Sequence, residues 1–561
     1  MSTASRNVWV GRAVVEELDR LGTPLVCLAP GGRCAPLSMA LGEGRSDLPW
    51  TTFIDERAAA FHALGVARAT GRPAVVITTS GTAVGNLAPA AMEADRAGVP
   101  LLFITADRPA EMRNTGANQT VQQADILAPV VRYRADLPCS DPALPLTAIL
   151  STLDHAVGMA RLQHGPVHLN LQLREPLGPS DAAVPAALAS WWTDPSRAPW
   201  TRVHHPRRAL PQGFADRVEA WRGAERGLVV VGSLPPGAQA PVETFVRSLG
   251  WPAHATVDAS IGAGVRGLDS VLSDPLLRER LTPDRILWLG GGVVSKKVVL
   301  WLRELGDQVP VISITDRTAR IDPGFQVRER HIVDYSALAA ASGEPNASSD
   351  AWTADWRALD RSASAVVAQG APHWTELAAA RAVVGASKAL FLGASLPVRL
   401  VDWVGAGSVQ VSANRGASGI DGVLATAAGW ARHVEGPRKV LLGDLTCLHD
   451  QGSLPLMREV GMQAVVFNNY GGSIFGMLPF GEVPGFDRVF RNTHTQSLVP
   501  LARAQGLRAI SVSTHAELLP ALADPALDFV EARFEHSHTV DALAALHAET
   551  RTALRRTWSM S

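Results

Sequence analysis

The sequence predicts an α/β protein with three doubly wound domains, each a parallel sheet covered by helices. Short apolar runs rich in Val, Ile and Leu alternate with helical patterns along the whole chain, which is typical of parallel sheets. At 561 residues the chain is too long for one ordinary hydrophobic core. Two stretches without helical or strand period, residues 194–213 and 342–353, indicate linkers. We therefore expect domains near residues 1–190, 205–340 and 355–561.

The composition excludes several classes of protein. The 52 Lys and Arg residues balance the 53 Asp and Glu residues without any block of like charge, so we expect no nucleic-acid partner. No apolar run approaches the roughly 18 residues that a membrane span needs, and the first residues lack the apolar core of a signal peptide. The four cysteines show no metal-binding spacing. Together these features predict a reduced, cytoplasmic protein without a membrane span.

The strands of each domain are predicted from short runs of β-branched and apolar residues. These runs lie at 25–29, 74–79 and 100–105 in the first domain, at 227–232, 285–290 and 310–315 in the middle domain, and at 389–393, 409–414, 439–444, 464–469 and 528–534 in the last domain. The helical segments between them predict parallel strands joined by crossover helices.

Two strands of the last domain end in polar residues. One ends in Gly443 and Asp444, and the other ends in two asparagines, of which Asn469 is the second. Ser453 and Pro455 between them are typical of a helix start, with Ser453 as the cap. The segment is therefore a strand–helix–strand unit with adjacent parallel strands, and Asp444 and Asn469 should lie at the carboxyl-terminal edge where such sheets bind ligands.

A carboxylate and a carboxamide at this edge predict a site for a hard cation, Mg²⁺ or Ca²⁺, rather than for a soft metal. Asp444 and Asn469 would supply side-chain oxygens, Gly471 would supply a backbone carbonyl, and Gly472 would let the chain turn closely. Mg²⁺ held by so few protein groups completes its shell with phosphate oxygens and water. Single Asp and Asn residues after strands are often plain turn residues. The pairing of the two, with 24 residues between them, favours a metal that binds a diphosphate.

The segment from Gly443 to Asn469 resembles the fingerprint of thiamine-diphosphate enzymes, a Gly-Asp start and an Asn-Asn finish around a strand–helix–strand unit. The resemblance implies the three-domain arrangement of those enzymes, with thiamine diphosphate and Mg²⁺ or Mn²⁺ as cofactors. Leu445 stands where a third glycine is usual, and Tyr470 stands where a small or polar residue is common. By resemblance, Gly443, Leu445 and Gly472 would bind the cofactor beside the metal ligands.

A second carboxylate, Glu56, lies far from this fingerprint at the junction of a strand end and an amphipathic helix. Thiamine chemistry needs a carboxylate that bonds the pyrimidine N1′ atom and favours the imino form of the cofactor. The ordinary alternative is that Asp55 caps the helix and Glu56 only complements its dipole. Because a thiamine diphosphate site is predicted elsewhere in the chain, we expect Glu56 to be catalytic.

Further stretches resemble the 2-succinyl-5-enolpyruvyl-6-hydroxy-3-cyclohexene-1-carboxylate synthases of menaquinone biosynthesis. They lie at 29–37, 79–94, 105–109, 116–120, 165–170, 412–422 and 468–479. The resemblance covers both outer domains, whereas the middle domain matches only at 295–297. It implies that the protein decarboxylates 2-oxoglutarate and adds the resulting succinic-semialdehyde carbanion to isochorismate.

The arginines support this substrate choice from the residues alone. Four of them lie in or beside turns that follow strands, namely Arg33, Arg108, Arg399 and Arg415. The two substrates bring four carboxylates, and arginine binds carboxylates through its bidentate fork. Any one of these residues, taken singly, is typical of a solvated surface arginine, but four in such positions favour a site.

The resemblance assigns roles to particular residues. Those expected at isochorismate are Arg33, Arg108, Asn118, Gln119, Lys296 and Lys297. Those expected at the carboxylate of 2-oxoglutarate or at the diphosphate are Ser395, Arg399 and Arg415. Those expected at the cofactor rings are Ile420, Ile474, Phe475 and Leu478, for the last three of which ordinary core packing is the alternative. The five residues expected to take part in catalysis with Glu56 are Arg33, Arg108, Gln119, Arg399 and Arg415.

Three positions depart from the family pattern. Gly32 and Cys34 replace serines that are frequent around Arg33, which removes two hydroxyl contacts. Lys297 stands where an arginine can occur, which removes a bidentate contact. Cys34 is expected to be a small packing residue rather than a reactive thiol.

The sequence also allows three other functions to be considered. An acetolactate-synthase-like enzyme or another 2-oxoacid decarboxylase would handle smaller and less charged substrates, which the arginines disfavour. A catalytically inactive relative that acts as a binding subunit would lack Glu56, Asp444 or Asn469, and all three are present. The GxGxxG pattern at 262–267 is typical of a flavin or nicotinamide site, but no long apolar-periodic helix follows it.

Glu56 and Asp444 fall in the first and last predicted domains, yet one cofactor must contact both. In the family the two come from different chains. The resemblance therefore implies a homo-oligomer, either a homodimer or a homotetramer, with active sites at the chain interface.

Overall fold

The computed structural model describes residues 1–141, 144–204, 208–262, 265, 268–343, 350–369, 374–478, 481 and 483–559. The chain forms three parallel sheets, which confirms the predicted fold class. It divides into two compact units, Met1–Pro206 with Asn414–Val434, and Arg207–Ala413 with Glu435–Ser561. Parts of both predicted linkers, 205–207 and 344–349, lie outside the described residues, and the predicted domain boundaries stay predictions.

The first sheet lies in the first unit. Its strands are β1 (Val26–Ala29), β2 (Trp50–Thr52), β3 (Ala74–Thr78), β4 (Leu101–Asp107), β5 (Tyr133–Leu137) and β6 (Pro166–Gln172). The strand order is β2-β1-β3-β4-β6-β5. The helices of this part of the chain are α1 (Thr3–Arg20), α2 (Ala35–Gly42), α3 (Glu56–Thr70), α4 (Thr82–Gly85), α5 (Ala88–Ala97), α6 (Leu146–Gln163) and α7 (Ala189–Trp192). Because β1, β3 and β4 are buried along their whole length, they carry the apolar runs typical of a covered parallel sheet. β6 is buried as well, but the polar residues His168, Asn170 and Gln172 alternate with its apolar residues.

The second sheet lies in the second unit and has the order β11-β10-β9-β7-β8. Its strands are β7 (Gly227–Val231), β8 (Ala253–Ala255), β9 (Arg285–Leu289), β10 (Val311–Thr315) and β11 (Val327–Ile332). The helices of this part of the chain are α8 (Phe214–Arg222), α9 (Gln239–Leu249), α10 (Leu268–Leu272), α11 (Pro275–Arg280) and α12 (Lys296–Leu305).

The third sheet also lies in the second unit and has the order β13-β12-β14-β15-β17-β16. Its strands are β12 (Ala389–Leu392), β13 (Gln410–Ala413), β14 (Arg438–Gly443), β15 (Gln463–Asn468), β16 (Ala509–Val512) and β17 (Phe529–Arg533). The helices of this part of the chain are α13 (Asp350–Gln369), α14 (Glu376–Gly385), α15 (Leu396–Val404), α16 (Val423–Ala431), α17 (Asp444–His449), α18 (Pro455–Glu459), α19 (Leu498–Ala504), α20 (His515–Ala523) and α21 (His536–Ser559). None of the helices in the described chain is long and apolar enough to cross a membrane.

The predicted unit around the fingerprint is confirmed. β14 and β15 pair in parallel, with Gly443 opposite Phe467. One detail of the prediction is wrong, because Ser453 is not the cap of α18. The helix begins at Pro455 as expected, but Leu454 precedes it with helical dihedral angles, and the Ser453 hydroxyl donates to Asp450 Oδ1 at 2.9 Å. The chain is already wound into a 3₁₀ turn here, so the extended backbone that a serine cap requires is absent.

Helices α3 and α16 approach each other closely within the first unit. A Cβ on Gly65 would lie 2.0 Å from the carbonyl oxygen of Thr426, and a Cβ on Gly429 would lie 2.0 Å from that of His62. Only glycine at both crossing points lets the two backbones come this near. The contact fixes α3, which begins at Glu56, against α16, which follows the loop that carries Arg415 and Ile420.

The close crossing predicts the effect of a single methyl group. Gly65→Ala should destabilise the first unit by about 1–3 kcal/mol or more, because rigid backbone atoms must move. An alanine normally stabilises a helix interior by about 1 kcal/mol relative to glycine, so the sign of the change is diagnostic. Thermal unfolding should show a lower midpoint for Gly65→Ala and no decrease for Gly42→Ala, where the new Cβ meets no atom within 4 Å. An unchanged midpoint for Gly65→Ala would contradict the close packing.

Candidate active site

The carboxyl ends of β14 and β15 bring Asp444 and Asn469 to one edge of the third sheet, as the sequence predicts. Both side chains are buried, Asp444 being 3% and Asn469 7% exposed. Asp444 Oδ2 accepts the backbone N–H of Gly471 at 2.8 Å, and Asp444 Oδ1 accepts that of Leu445 at 2.7 Å. His494 Nε2 lies 3.0 Å from Asp444 Oδ2. These bonds hold the carboxylate in one orientation directly after its strand.

The two asparagines have different partners. Asn468 is fully buried, donates from Nδ2 to Glu531 Oε1 at 2.7 Å, and accepts the N–H of Tyr470 at Oδ1. Both ends of its side-chain amide are therefore used in hydrogen bonds that fix the backbone at the end of β15. Asn469 donates from Nδ2 to Glu376 Oε1 at 2.7 Å, and its buried Oδ1 has no hydrogen-bond partner among the described residues. The second asparagine thus presents a free carbonyl oxygen, which the first does not.

Glu376 is a residue of this site that sequence reasoning missed. It is the first residue of α14, and it is only 2% exposed. Burial, with a smaller contribution from the negative charge of Asp444, raises the pKa of its carboxyl to about 7, although the hydrogen bond from Asn469 acts in the opposite direction. Thr375 caps the same helix, so in the sequence the pair looks like an ordinary helix start. No local signal could have identified the carboxylate.

The described residues fit a hard divalent cation with a diphosphate. The Asp444 carboxylate and the unpartnered Asn469 Oδ1 are the oxygen ligands that Mg²⁺ prefers, and a buried carbonyl oxygen without a partner is costly unless something binds it. Gly471 has φ +139°, and a Cβ there would lie 2.8 Å from the carbonyl oxygen of Arg491. Only glycine can therefore bring its backbone to this position. The donor set supports the predicted ligands Asp444, Asn469 and Gly471.

The segment after Gly471 forms a partly exposed apolar surface. The Gly472 N–H donates to the Arg491 carbonyl at 2.7 Å, and residues Ser473–Met477 then form a 3₁₀ turn. Ile474 and Phe475 are half-buried, and Leu478 is 38% exposed. Ordinary core packing, the alternative to a role at the cofactor, therefore accounts for only part of the surface of these three side chains. The rest is apolar surface that the described part of the unit does not cover.

Ser395 and Arg399 lie at the carboxyl end of the neighbouring strand β12. Ser395 has φ +71°, an unfavourable value for a residue with a side chain, and it precedes α15. The Arg399 guanidinium, one helical turn later, donates to the Ser395 carbonyl. Strain of this kind persists where surrounding structure enforces it, and it often accompanies a functional turn.

Lys296 and Lys297 are the first two residues of α12, in the part of the chain that forms the second sheet. Lys296 is exposed. Lys297 Nζ donates to Ser273 Oγ at 2.6 Å and to the Asp269 carbonyl at 3.3 Å, and burial lowers its pKa. The Lys297 ammonium therefore bonds within its own part of the chain.

The GxGxxG pattern at 262–267 falls mostly outside the described residues.

In the first unit, Glu56 is half-buried at the start of α3. Asp55 caps this helix by accepting the N–H groups of Arg57 and Ala58, so the ordinary capping role belongs to Asp55. Glu56 Oε2 instead accepts a hydrogen bond from Asn86 Nδ2 at 3.1 Å. This bond orients the carboxylate.

Arg33 and Arg108 form a pair of buried cations in the same unit. Arg33 is 6% and Arg108 8% exposed. Arg33 donates to the Leu173 carbonyl at 2.8 Å and to Glu175 Oε1 at 2.9 Å, while its buried Nε has no partner among the described residues. Burial and the positive charge of Arg33 both lower the pKa of the Arg108 guanidinium. Two buried cations that repel each other are suited to an anionic ligand.

The loop after Arg108 is tied back to the first sheet. The Arg108 guanidinium donates to Ser80 Oγ and, at 2.9 Å, to the carbonyl of Gln119. Gln119 has φ +57° and donates from Nε2 to the Ser80 carbonyl at 2.9 Å, and Asn118 beside it is exposed. The structure thus brings Arg33, Arg108 and Gln119 together.

The remaining predicted residues are Arg415 and Ile420, which share one loop before α16. Arg415 is half-buried and Ile420 is 36% exposed.

Cys34, one of the positions that depart from the family pattern, is buried beside Arg33, and burial raises the pKa of its thiol. Its sulfur lies 3.3 Å from the Gly31 nitrogen, as suits a packing residue rather than a reactive thiol.

Comparison with known proteins gives the following matches. Residues 8–126 match a family described as thiamine pyrophosphate enzyme, N-terminal TPP binding domain, and residues 183–392 match a family described as middle domain of thiamine pyrophosphate. Several curated relatives carry the name 2-succinyl-5-enolpyruvyl-6-hydroxy-3-cyclohexene-1-carboxylate synthase. The one from Salinibacter ruber is 37% identical over 86% of this chain and 85% of its own length. The one from Rubrobacter xylanophilus is 37% identical over 92% of both chains, and the one from Renibacterium salmoninarum is 36% identical over 97% of this chain and 96% of its own length.

The bond between Glu376 and Asn469 predicts a loss of metal affinity when the carboxylate is changed. Glu376→Gln can pair with the Asn469 amide in either orientation, so the asparagine oxygen is no longer held toward the metal. We expect Mg²⁺ affinity, measured by calorimetry with saturating thiamine diphosphate, to fall about 10- to 100-fold.

The control is Glu531→Gln, which alters the equivalent bond to Asn468. This variant should leave Mg²⁺ affinity within about threefold, because Asn468 Oδ1 already accepts the Tyr470 N–H and is not one of the predicted metal ligands. Equal losses in the two variants would contradict an orienting role for Glu376.

Proposed function

The chain belongs to the 2-succinyl-5-enolpyruvyl-6-hydroxy-3-cyclohexene-1-carboxylate synthase family of thiamine-diphosphate enzymes, and we propose how its residues carry out the reaction of that family. The reaction joins 2-oxoglutarate to isochorismate with loss of carbon dioxide, a step of menaquinone biosynthesis. The observation that supports it most is the buried Asp444 carboxylate beside the unpartnered Asn469 Oδ1 at one sheet edge. A carboxylate–carboxamide pair in this place suits a metal-bound diphosphate.

The metal and diphosphate end of the cofactor would be held by the second unit. Asp444, Asn469 and the backbone of Gly471 would bind Mg²⁺ or Mn²⁺, and Gly443, Leu445 and Gly472 would line the diphosphate. Thiamine diphosphate, when bound, supplies a thiazolium that stabilises the carbanion left by decarboxylation. Ile474, Phe475 and Leu478 would exclude water from that ring, which strengthens the electrostatic interactions of the site.

Glu56 would act on the proton of the pyrimidine ring. Its carboxylate, oriented by Asn86, would share a proton with the N1′ atom and so favour the imino form of the cofactor. Ile420 would support the bend of the cofactor. The carboxylate is half-buried, so it is partly shielded from bulk water.

The arginines would bind the four substrate carboxylates. Arg33 and Arg108 are buried cations in mutual repulsion, and a carboxylate of isochorismate between them would relieve that repulsion. Gln119 holds the Arg108 side chain and, with the exposed Asn118, would contact the same substrate. Lys296 would reach it from the middle domain, and Lys297 would have to leave its present bonds to do so.

The 2-oxoglutarate end of the site would be formed by Ser395, Arg399 and Arg415. Arg399 is anchored through the Ser395 carbonyl, which limits the side-chain entropy lost on binding. The distal carboxylate of 2-oxoglutarate would pair with these guanidiniums. The protein would act in the cytoplasm as a homodimer or homotetramer, with Glu56 of one chain and Asp444 of another at each cofactor.

The substrate assignment is tested with wild-type protein, thiamine diphosphate and Mg²⁺. The enzyme should form the succinylated product from isochorismate and prefer 2-oxoglutarate to pyruvate by about 10²- to 10⁴-fold in kcat/KM, because two charge-assisted contacts of about 1.5–3 kcal/mol each are lost with pyruvate. Arg399→Ala should reduce that preference and spare cofactor binding, whereas Arg33→Ala should mainly raise the KM for isochorismate. Equal efficiency with pyruvate would favour an acetolactate-synthase-like enzyme instead.

The shared site is tested by mixing two inactive variants. Glu56→Gln should bind the cofactor but barely form product, and Asp444→Ala should lose metal-dependent cofactor binding. After subunit exchange, half of the dimers are mixed and each has one intact site, so about a quarter of wild-type activity should return. Each variant mixed with itself is the control. Exchange that is demonstrated by mass labelling but restores no activity would show that each site is built within one chain.

A further inference from the structure

Glu93 is a buried carboxylate for which neither the fingerprint nor the substrate arginines account. It lies on α5, and only 3% of its surface is exposed. Its two oxygens accept three consecutive backbone N–H groups of one loop. Oε1 accepts that of Gly416 at 2.8 Å, and Oε2 accepts those of Ala417 at 2.6 Å and Ser418 at 3.3 Å.

The charge of Glu93 is balanced by one arginine. Arg68 of α3 donates to Glu93 Oε1 at 3.1 Å, and its own side chain is 15% exposed. The carboxylate therefore connects α3, α5 and the loop of residues 415–422. Charge-assisted hydrogen bonds of this kind are about twice as strong as neutral ones, and several donors on one buried anion hold a backbone in a single conformation.

The same loop is fixed at its close approach to α5 and at its two ends. A Cβ on Gly416 would lie 2.5 Å from the Glu93 carbonyl oxygen, so the loop backbone is pressed against the helix. Asn414 Nδ2 donates to Thr426 Oγ1 at 3.0 Å, and the Thr426 hydroxyl donates to the Gly422 carbonyl at 2.8 Å. Glu93 thus supplies the anchor in the middle of a loop whose ends are already tied.

We propose that Glu93 is a positioning residue that holds the 415–422 loop so that Arg415 and Ile420 are presented in the active site. The inference rests on the proposed function, which places Arg415 at 2-oxoglutarate and Ile420 at the cofactor. Arg415 directly precedes the three anchored N–H groups, and Ile420 follows them by two residues. Glu93 itself does not contact substrate; it acts through the loop.

Only a carboxylate satisfies this arrangement. Four donors converge on the side chain, three from the loop and one from Arg68, and a carboxylate offers about four lone-pair positions on two oxygens. A glutamine offers one oxygen and turns an NH₂ group toward an N–H group. Glu93→Gln therefore keeps the size of the side chain and removes part of the anchor.

The direct test is amide hydrogen exchange of the peptide that covers residues 415–422, in wild-type protein without substrate. The amides of Gly416, Ala417 and Ser418 should be protected in the wild type and should exchange at least tenfold faster in Glu93→Gln. The matched control is Glu16→Gln, which removes another buried carboxylate of the same unit, one that pairs with Arg20 and Arg197. This control should leave exchange in the loop unchanged.

The functional test separates positioning from plain stability. Glu93→Gln should raise the KM for 2-oxoglutarate and the Kd for thiamine diphosphate about tenfold each, and should change the KM for isochorismate less than threefold. Gly416→Ala, which pushes the loop off α5 without altering the carboxylate, should show the same pattern and serves if Glu93→Gln does not fold. Glu16→Gln should lower the unfolding midpoint without this pattern.

Two results would overturn the proposal. One is exchange of the wild-type loop amides as fast as in an unstructured peptide. The other is a loosened loop in either variant together with unchanged affinity for thiamine diphosphate and 2-oxoglutarate. Failure of the wild-type enzyme to form the isochorismate product would overturn the proposed reaction only, because loop exchange and cofactor affinity are measured without turnover.

Discussion

The parallel pairing of β14 with β15 is the constraint on which the candidate site depends. It places Gly443 opposite Phe467, so that Asp444 and Asn469, far apart in the chain, follow their strands at the same edge. A one-residue slip would turn every side chain of a strand to the other face of the sheet. The crossover through α17 and α18 and the buried apolar faces of both strands set this register. The chemistry of the edge then follows from the residues that happen to end the strands.

Buried carboxylates orient the groups around this site and around the 415–422 loop. Glu376 turns the Asn469 amide, Glu531 closes the strand end through Asn468, and Glu93 holds three loop N–H groups. Each carries a desolvation cost that hydrogen bonds must offset, and removal of a partner would leave a buried group unsatisfied. Their common role is to hold neutral amides, in side chains or in the backbone, in one orientation.

Buried cations form a second set of charged groups in the molecule. Arg33 and Arg108 are buried near each other, and burial with mutual repulsion lowers the pKa of Arg108. The carboxylates of Glu175 and Asp107 offset part of this repulsion, and a further anion beside the two guanidiniums would offset more of it. Lys297 differs, since its ammonium is bonded to Ser273 and to the Asp269 carbonyl. The two departures beside Arg33, Gly32 and Cys34, leave that arginine anchored through Leu173 and Glu175 instead of through hydroxyl groups.

The sequence by itself determined the fold class, every central strand except β6, the strand–helix–strand unit and the polar residues that end its strands, because apolar periodicity and turn chemistry are local. The strand β6 was missed because polar residues interrupt its apolar pattern. The strands that the apolar runs missed lie mostly at sheet edges, β2, β5, β8, β11 and β16, where exposure admits short or charged segments such as Val327–Ile332. The capping role assigned to Ser453 failed because the preceding turn is already helical. Only the tertiary structure decided that Glu376 faces Asn469 and that Glu93 faces the loop, since these partners are separated by 93 and 323 to 325 residues. Contacts at such distances are set by packing of whole elements, which no local pattern encodes.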